Sequence, residues 1–160
     1  LSIDESLEEP GCTRTQGYWK NQLYYGPAPY DSTWENLLND PYNDLGDYQD
    51  FFLSNKNYHK ILRTAVKGNA YYIFAHQYVA AILNEYAGAD IPEEVGNKIN
   101  EATDLFNTYT PDEIKVLKGN NPLRQQFIGL GEYLDDYNNG YLGVPHCDEE
   151  YEVFKALKRK

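Results

Sequence analysis

From Ala70 to Ala87 apolar residues recur at steps of three and four, at Tyr72, Ala75, Val79, Ile82, Leu83 and Tyr86. That spacing puts them on one face of a helix about five turns long, and it predicts the central helix of the fold. Gly88 stands where a C-terminal cap belongs. Pro92 opens a second helix, in which Val95, Ile99, Ala102 and Phe106 keep the same period. Thr110-Pro111-Asp112-Glu113 combines a capping hydroxyl, a proline in the first turn and a capping Glu, which marks a third start. Asn121-Pro122 marks a fourth; Leu123, Phe127, Leu130, Leu134 and Tyr137 follow at alternating steps, and Asn138-Asn139-Gly140 ends the run.

Upstream the signals are shorter. Ser32-Thr33-Trp34-Glu35 has the spacing of a capping box and predicts a short helix through Leu37 and Leu38, broken at Asp40-Pro41. Asp47 to Leu53 and Tyr58 to Val66 read as two more short helices, the second stopped by Lys67-Gly68. Gly11 to Tyr30 is rich in Gly, Pro, Tyr and Asn without a period and reads as ordered loop. No segment alternates apolar and polar residues with β-branched enrichment, so no sheet is expected. The fold class is all-α, a compact bundle of about six or seven short-to-medium helices around one central helix. Residues 1–10 read as an acidic arm or linker, 11–148 as one helical domain, and 149–160 as a helical tail, acidic first and basic last, in the order that complements a helix dipole.

Charge narrows the range of functions. The 160 residues hold 14 Lys+Arg against 25 Asp+Glu, a net charge of −11. A nucleic-acid binder needs concentrated Lys and Arg to displace counterions, so that class is set aside. No run approaches the roughly 20 apolar residues that span a bilayer, so no membrane insertion is expected. Tyr contributes 16 residues and Met none, so hydrophobicity arrives largely as amphipathic rings.

Cys12 and Cys147 are the only cysteines and lie near opposite ends of the chain. They are either two separate buried thiols or a disulfide closing nearly the whole chain, and the second reading places the protein in an oxidising compartment. The chain opens at Leu1 without an initiator Met or signal peptide, so it reads as a processed or excised product. An extracellular or cell-surface location after signal-peptide removal is the expectation.

Three blocks carry a family resemblance. They are Cys12-Thr13-Arg14-Thr15-Gln16-Gly17-Tyr18-Trp19-Lys20-Asn21; Gly68-Asn69-Ala70 with Ala75-His76-Gln77 through Ala80-Ala81-Ile82-Leu83-Asn84; and Asp136-Tyr137-Asn138-Asn139-Gly140 followed by His146-Cys147. Together they resemble an uncharacterised bacterial family of secreted and cell-surface domains with a CTRTQGYWKNH-like opening. The resemblance implies a secreted location, a domain starting near residue 11 and a paired Cys12 and Cys147, and it implies no activity. Gln22 stands where the opening motif often has His, which weakens a metal reading of that motif.

Candidate chemistry is sparse. His59, His76 and His146 are the only histidines, and none forms a His-x-x-x-His or Glu-x-x-His pair on a helix. His76 lies within the central helix and reads as a hydrogen-bonded core histidine. His146 beside Cys147 suggests thiol activation only if the cysteine is unbonded. Asp40, Asp44, Asp47 and Asp50, and Asp135-Asp136, form acidic runs able to supply oxygen ligands to calcium, although neither fits a twelve-residue calcium loop. Calcium is the one cofactor weighed. Tyr18, Trp19, Tyr24, Tyr25, Tyr30 and Trp34 cluster in loop and early helix, where such rings serve as packing wedges, sugar platforms or protein-interface anchors. Three functions follow in order: a non-catalytic structural or interaction module with a protein partner or a second copy of itself; a carbohydrate-binding module using the Tyr/Trp cluster; and a secreted hydrolase with acidic catalytic residues.

Overall fold

The computed structural model describes residues 9–23 and 26–147. Tyr24, Tyr25, most of the N-terminal arm and the C-terminal tail lie outside the described residues. Six α-helices follow in order: α1 Gln16–Asn21, α2 Tyr58–Arg63, α3 Ala70–Tyr86, α4 Glu93–Phe106, α5 Pro111–Lys115 and α6 Pro122–Asn138. A 3-10 helix, Ser32–Leu37, lies between α1 and α2. The described residues contain isolated β-bridges and no strand, so the fold is all-α.

The strongly marked starts form as expected. Thr110 and Glu113 make the complete capping box of α5, each side chain bonding the other's backbone N–H. Asn121 caps α6 through its side-chain oxygen, which accepts from the N–H groups of Leu123 and Arg124, with Pro122 in the first turn. Both 17-residue helices end in the same way. Ala89 N–H donates to Asn84 O and Gly88 N–H to Glu85 O, closing α3, while Tyr141 N–H to Asp136 O and Gly140 N–H to Tyr137 O close α6. Each closure needs a left-handed residue, supplied by Gly88 at φ 104° and Gly140 at φ 86°.

The weaker signals are corrected in four places. Residues 16–21 are helical within the stretch read as loop. The helix at Ser32 is a 3-10 turn capped by Asp31 rather than by Ser32, because the Asp31 carboxylate accepts from Thr33 N–H. Asp47 to Leu53 is not a helix: Leu38 pairs with Tyr48 and Asp50 with Asn57 as antiparallel bridges, and Phe52 and Asn55 take positive φ values of 47° and 60°, which turn the chain instead. The next helix stops at Arg63 rather than Val66, where Thr64 goes extended and its hydroxyl donates back to Lys60 O.

Helix α3 is buried on more than one face. Ala70, Tyr71, Phe74, Ala75, Tyr78, Val79, Ala81 and Leu83 are all in the core, so the arc read from the sequence was too narrow. Tyr86, assigned to that arc, is 52 % exposed. The centre of packing is Phe106 at the end of α4, whose ring lies 4.7 Å from Phe74, 4.9 Å from Phe51 and 5.2 Å from both Tyr71 and Tyr78. Most of these pairs meet edge to face, the arrangement that the aromatic quadrupole favours. Helix α6 crosses α3 closely at Gly131, where a Cβ would sit 3.3 Å from Phe74 Cα.

Candidate functional site

The two ends of the described chain are fastened over the C-terminal half of α3. Cys12 and Cys147 form a disulfide with their Cα atoms 4.9 Å apart. The residues beside it pair in parallel, Thr13 N–H donating to Pro145 O and Cys147 N–H to Thr13 O, each at 2.8 Å. Gly11 lies so close to the end of α3 that a Cβ there would overlap the backbone of Gly88.

Beneath this junction a polar side chain sits in an otherwise apolar part of α3. Asn84 is fully buried. Its Oδ1 accepts from Arg14 N–H at 2.8 Å and from the Trp19 indole N–H at 3.1 Å, while its Nδ2 donates to Arg14 O and to Asn138 Oδ1, both at 2.9 Å. The amide therefore has all four of its hydrogen-bonding positions filled, which is what makes burying it tolerable. Asn138 is equally buried, and its Nδ2 donates to both the backbone O and the side-chain Oε1 of Gln77 at 3.0 Å. Arg14 and Trp19 come from the opening block, Gln77 and Asn84 from the central block, and Asn138 from the closing block. The three blocks quoted from the sequence meet at one side chain.

The candidate aromatics divide around this hub. Trp19 and Trp34 are 1 % and 0 % exposed. Trp34 donates its indole N–H to Trp19 O at 3.0 Å and packs edge-on against Tyr48, so neither indole offers a face to a sugar or to a partner protein. Tyr18 is half-buried; its hydroxyl donates to Asp31 Oδ2 at 2.8 Å, and the Arg14 guanidinium lies 4.2 Å above its ring. Burial pushes the Tyr30 hydroxyl up to about 12, with the Glu35 carboxylate adding to the rise. Asp31 binds Tyr18 while capping the 3-10 turn. A cavity of about 220 Å³ opens beside the disulfide, lined in part by Arg14, Trp19, Asp31 and Asn84.

The acidic candidates serve local turns. Asp40 accepts from Asn43 Nδ2 and Tyr42 N–H, bonds that hold its carboxyl below the ordinary range. Asp44 accepts from Gly46 N–H, Asp47 from Asn39 Nδ2 and Asp135 from Asn139 Nδ2. Asp136 lies in the last turn of α6, where its backbone carbonyl receives Tyr141 N–H. Among the described residues no three His, Cys, Asp or Glu side chains gather in a way that could hold a metal ion. His76 Nε2 bonds Thr64 O at 3.0 Å, and burial holds the ring below its ordinary value. Cys147 is bonded, so His146 has no thiol to activate.

A second feature escaped the sequence reading. Asp50, Phe52, Leu53, Lys56, His59 and Lys60 line most of an open groove of about 820 Å³ between the turn at Phe52–Asn57 and α2. The signal was available: no Asp or Glu occurs from Phe51 to Asn84, although the chain as a whole is strongly acidic. A scan against family models, a search of curated proteins and a search of solved structures each returned no match to this chain.

Proposed function

We propose that the protein is a non-catalytic extracellular structural or interaction module, whose partner is another protein or a second copy of the same chain. The observation that carries this reading is the hub. The polar side chains that distinguish the three blocks bond one another around Asn84, so they are occupied in fastening the chain rather than presented to a substrate. The intramolecular disulfide is consistent with an oxidising location outside the cell, and no helix among the described residues is long and apolar enough to cross a membrane.

Three experiments test the proposal. Intact mass of protein isolated without reductant should show the bonded pair, and two free thiols in native material would remove the extracellular assignment. Sedimentation equilibrium of the oxidised chain at rising concentration should show association with itself, and a strictly monomeric chain at millimolar concentration would remove self-assembly. The reading needs no calcium, so the melting temperature should be unchanged by excess chelator; a fall would reinstate a bound cation.

A further inference from the structure

Cys12 and Cys147 lie 4.9 Å apart at Cα although 135 positions separate them in sequence. Nearly the whole helical domain is therefore a side loop, closed at its base by one covalent bond. The two flanks at that base run in the same direction. Thr13 and His146 form a parallel bridge, bounded by the bonds from Thr13 N–H to Pro145 O and from Cys147 N–H to Thr13 O. The chain thus enters the domain and leaves it along one heading, with residues 1–11 preceding the disulfide in sequence and 148–160 following it.

That arrangement fixes what tension does. A pull on the two flanks draws Cys12 backward and Cys147 forward, and the load can pass between them by two routes. One is the pair of sulfur atoms. The other is the 135-residue loop, held by the parallel bridge, the close crossing of α3 and α6 at Gly131 and the hub at Asn84. Every junction on the second route is a noncovalent contact of modest net strength, whereas the first is a single short covalent link. Two routes side by side share a load according to their stiffness, so the covalent one takes nearly all of it. One contact lies upstream: Pro10 O accepts from Asp90 N–H at 2.7 Å, and Gly11 packs on the backbone of Gly88. It yields first and releases only the slack of Pro10 and Gly11.

We infer that the disulfide is a staple that carries tension past the helical domain. The staple works whatever the partner of the module is; it needs only the closed bond, which intact mass tests separately. The same geometry makes the bond a release. Cys12 is half-buried, and both cysteines line the small cavity beside the hub, so a small dithiol reaches the sulfurs without prior unfolding. One thiolate of the dithiol attacks a cysteine sulfur, and the other cysteine leaves as a thiolate. The second thiolate then closes a ring on the reagent and frees the first cysteine, so the reagent is oxidised and both cysteines are reduced. The load falls on the noncovalent route, and opening it adds 135 residues of chain, about 450 to 490 Å at full extension.

The test is constant-force spectroscopy on the oxidised full-length chain, held by enzymatically attached handles at residues 1 and 160. Without reductant the chain should show no long step. With dithiothreitol each molecule should wait and then lengthen in one step approaching the length above. The waiting time should shorten about tenfold or more as force is raised, because tension along the sulfur–sulfur bond lowers the barrier to its cleavage. Cys12→Ala/Cys147→Ala should give the long step at once, without reductant. A waiting time that does not change with force would place the load on the hub and the parallel bridge and overturn the staple. A long step from the wild type without reductant would overturn it as well, and so would a Cys12→Ala/Cys147→Ala chain that resists the same force as long as the oxidised wild type. If that variant fails to fold, the force dependence of the wild type decides alone.

Discussion

The indole nitrogen of Trp19 donates to the amide oxygen of Asn84 at 3.1 Å, joining residues 65 positions apart inside the core. The bond ties the N-terminal loop region to the central helix at a point from which water is excluded. Asn84→Ala would strand the Trp19 indole N–H, both backbone groups of Arg14 and the Asn138 amide oxygen. Each buried group left unmet costs about 1 to 3 kcal/mol, so with partial relaxation the variant should lose about 3 to 5 kcal/mol in urea unfolding. A loss under about 1 kcal/mol would mean that the hub contributes little.

The disulfide should matter as much. It closes a loop of 135 residues, and on chain-entropy grounds such a closure contributes up to about 5 kcal/mol. Cys12→Ala/Cys147→Ala should therefore unfold at a markedly lower denaturant midpoint, with a slope altered by the less constrained unfolded chain. The wild type should reproduce that midpoint after reduction, and an unchanged midpoint in reductant would contradict the assignment.

Buried tyrosines separate into two kinds. Tyr137 donates its hydroxyl to Asp90 O at 2.7 Å, so Tyr137→Phe should cost about 1 kcal/mol. The Tyr71 hydroxyl is buried and meets no hydrogen-bond partner, so Tyr71→Phe should be neutral or stabilising. Thermal melting of the two variants side by side checks the contrast, and equal losses would erase it.

Stability should fall on both sides of neutrality, for different reasons. Burial, followed by the nearby Lys20 charge, holds the His76 ring below its ordinary 6.5, against the backbone bonds from Ile61 and Thr64 that raise it. Burial also lowers His59, with Arg63 and Lys60 adding to the effect. As pH drops through about 6.5 the unfolded chain takes up protons that the folded chain refuses, so stability declines. Asp31 adds a second loss at lower pH. Burial would raise its carboxyl, but bonds from Thr33 and Tyr18 and the Arg14 charge outweigh that and hold it below 3.8. Its contribution is present above that value and disappears as pH falls through the depressed one. At the alkaline end burial raises Tyr30, Tyr58, Tyr71 and Tyr137 above the ordinary 10.0. Above about pH 10 the unfolded chain releases protons that the folded chain keeps, so stability falls again. Urea midpoints across pH, with tyrosinate absorbance followed at the alkaline end, should show tyrosine ionisation arriving together with unfolding. Ionisation of all 16 tyrosines near their ordinary value without unfolding would contradict the burial described.

The helical part of the fold was legible because its signals are local. Capping chemistry at Thr110 and Asn121, and glycines at 88 and 140, state their structural role within a few residues. The stretch from Asp47 to Leu53 was not legible as a turn, since the pairing of Leu38 with Tyr48 and of Asp50 with Asn57 depends on partners seven to ten positions away. The excess of tyrosine was partly misplaced for a similar reason. Periodicity selects one face of a helix, but α3 is covered on several sides, so Tyr71 and Tyr78 are buried while Tyr86 is exposed. The residues of the hub stood in plain view within the three blocks. That Asn84 joins them could be read only once the ends of the chain were brought together in space, because an asparagine on an apolar helix does not announce its partners.

That meeting of three blocks at Asn84 is the centre of the account, and a double-mutant cycle on Asn84 and Asn138 tests it most directly. The two amides bond each other at 2.9 Å, 54 positions apart. Urea unfolding of Asn84→Ala, Asn138→Ala and the double variant should give a coupling of about 1 to 3 kcal/mol, the double variant losing clearly less than the two single losses combined. Losses that add within about 0.5 kcal/mol would contradict it, because the two asparagines would then act as independent residues and not as parts of one fastening.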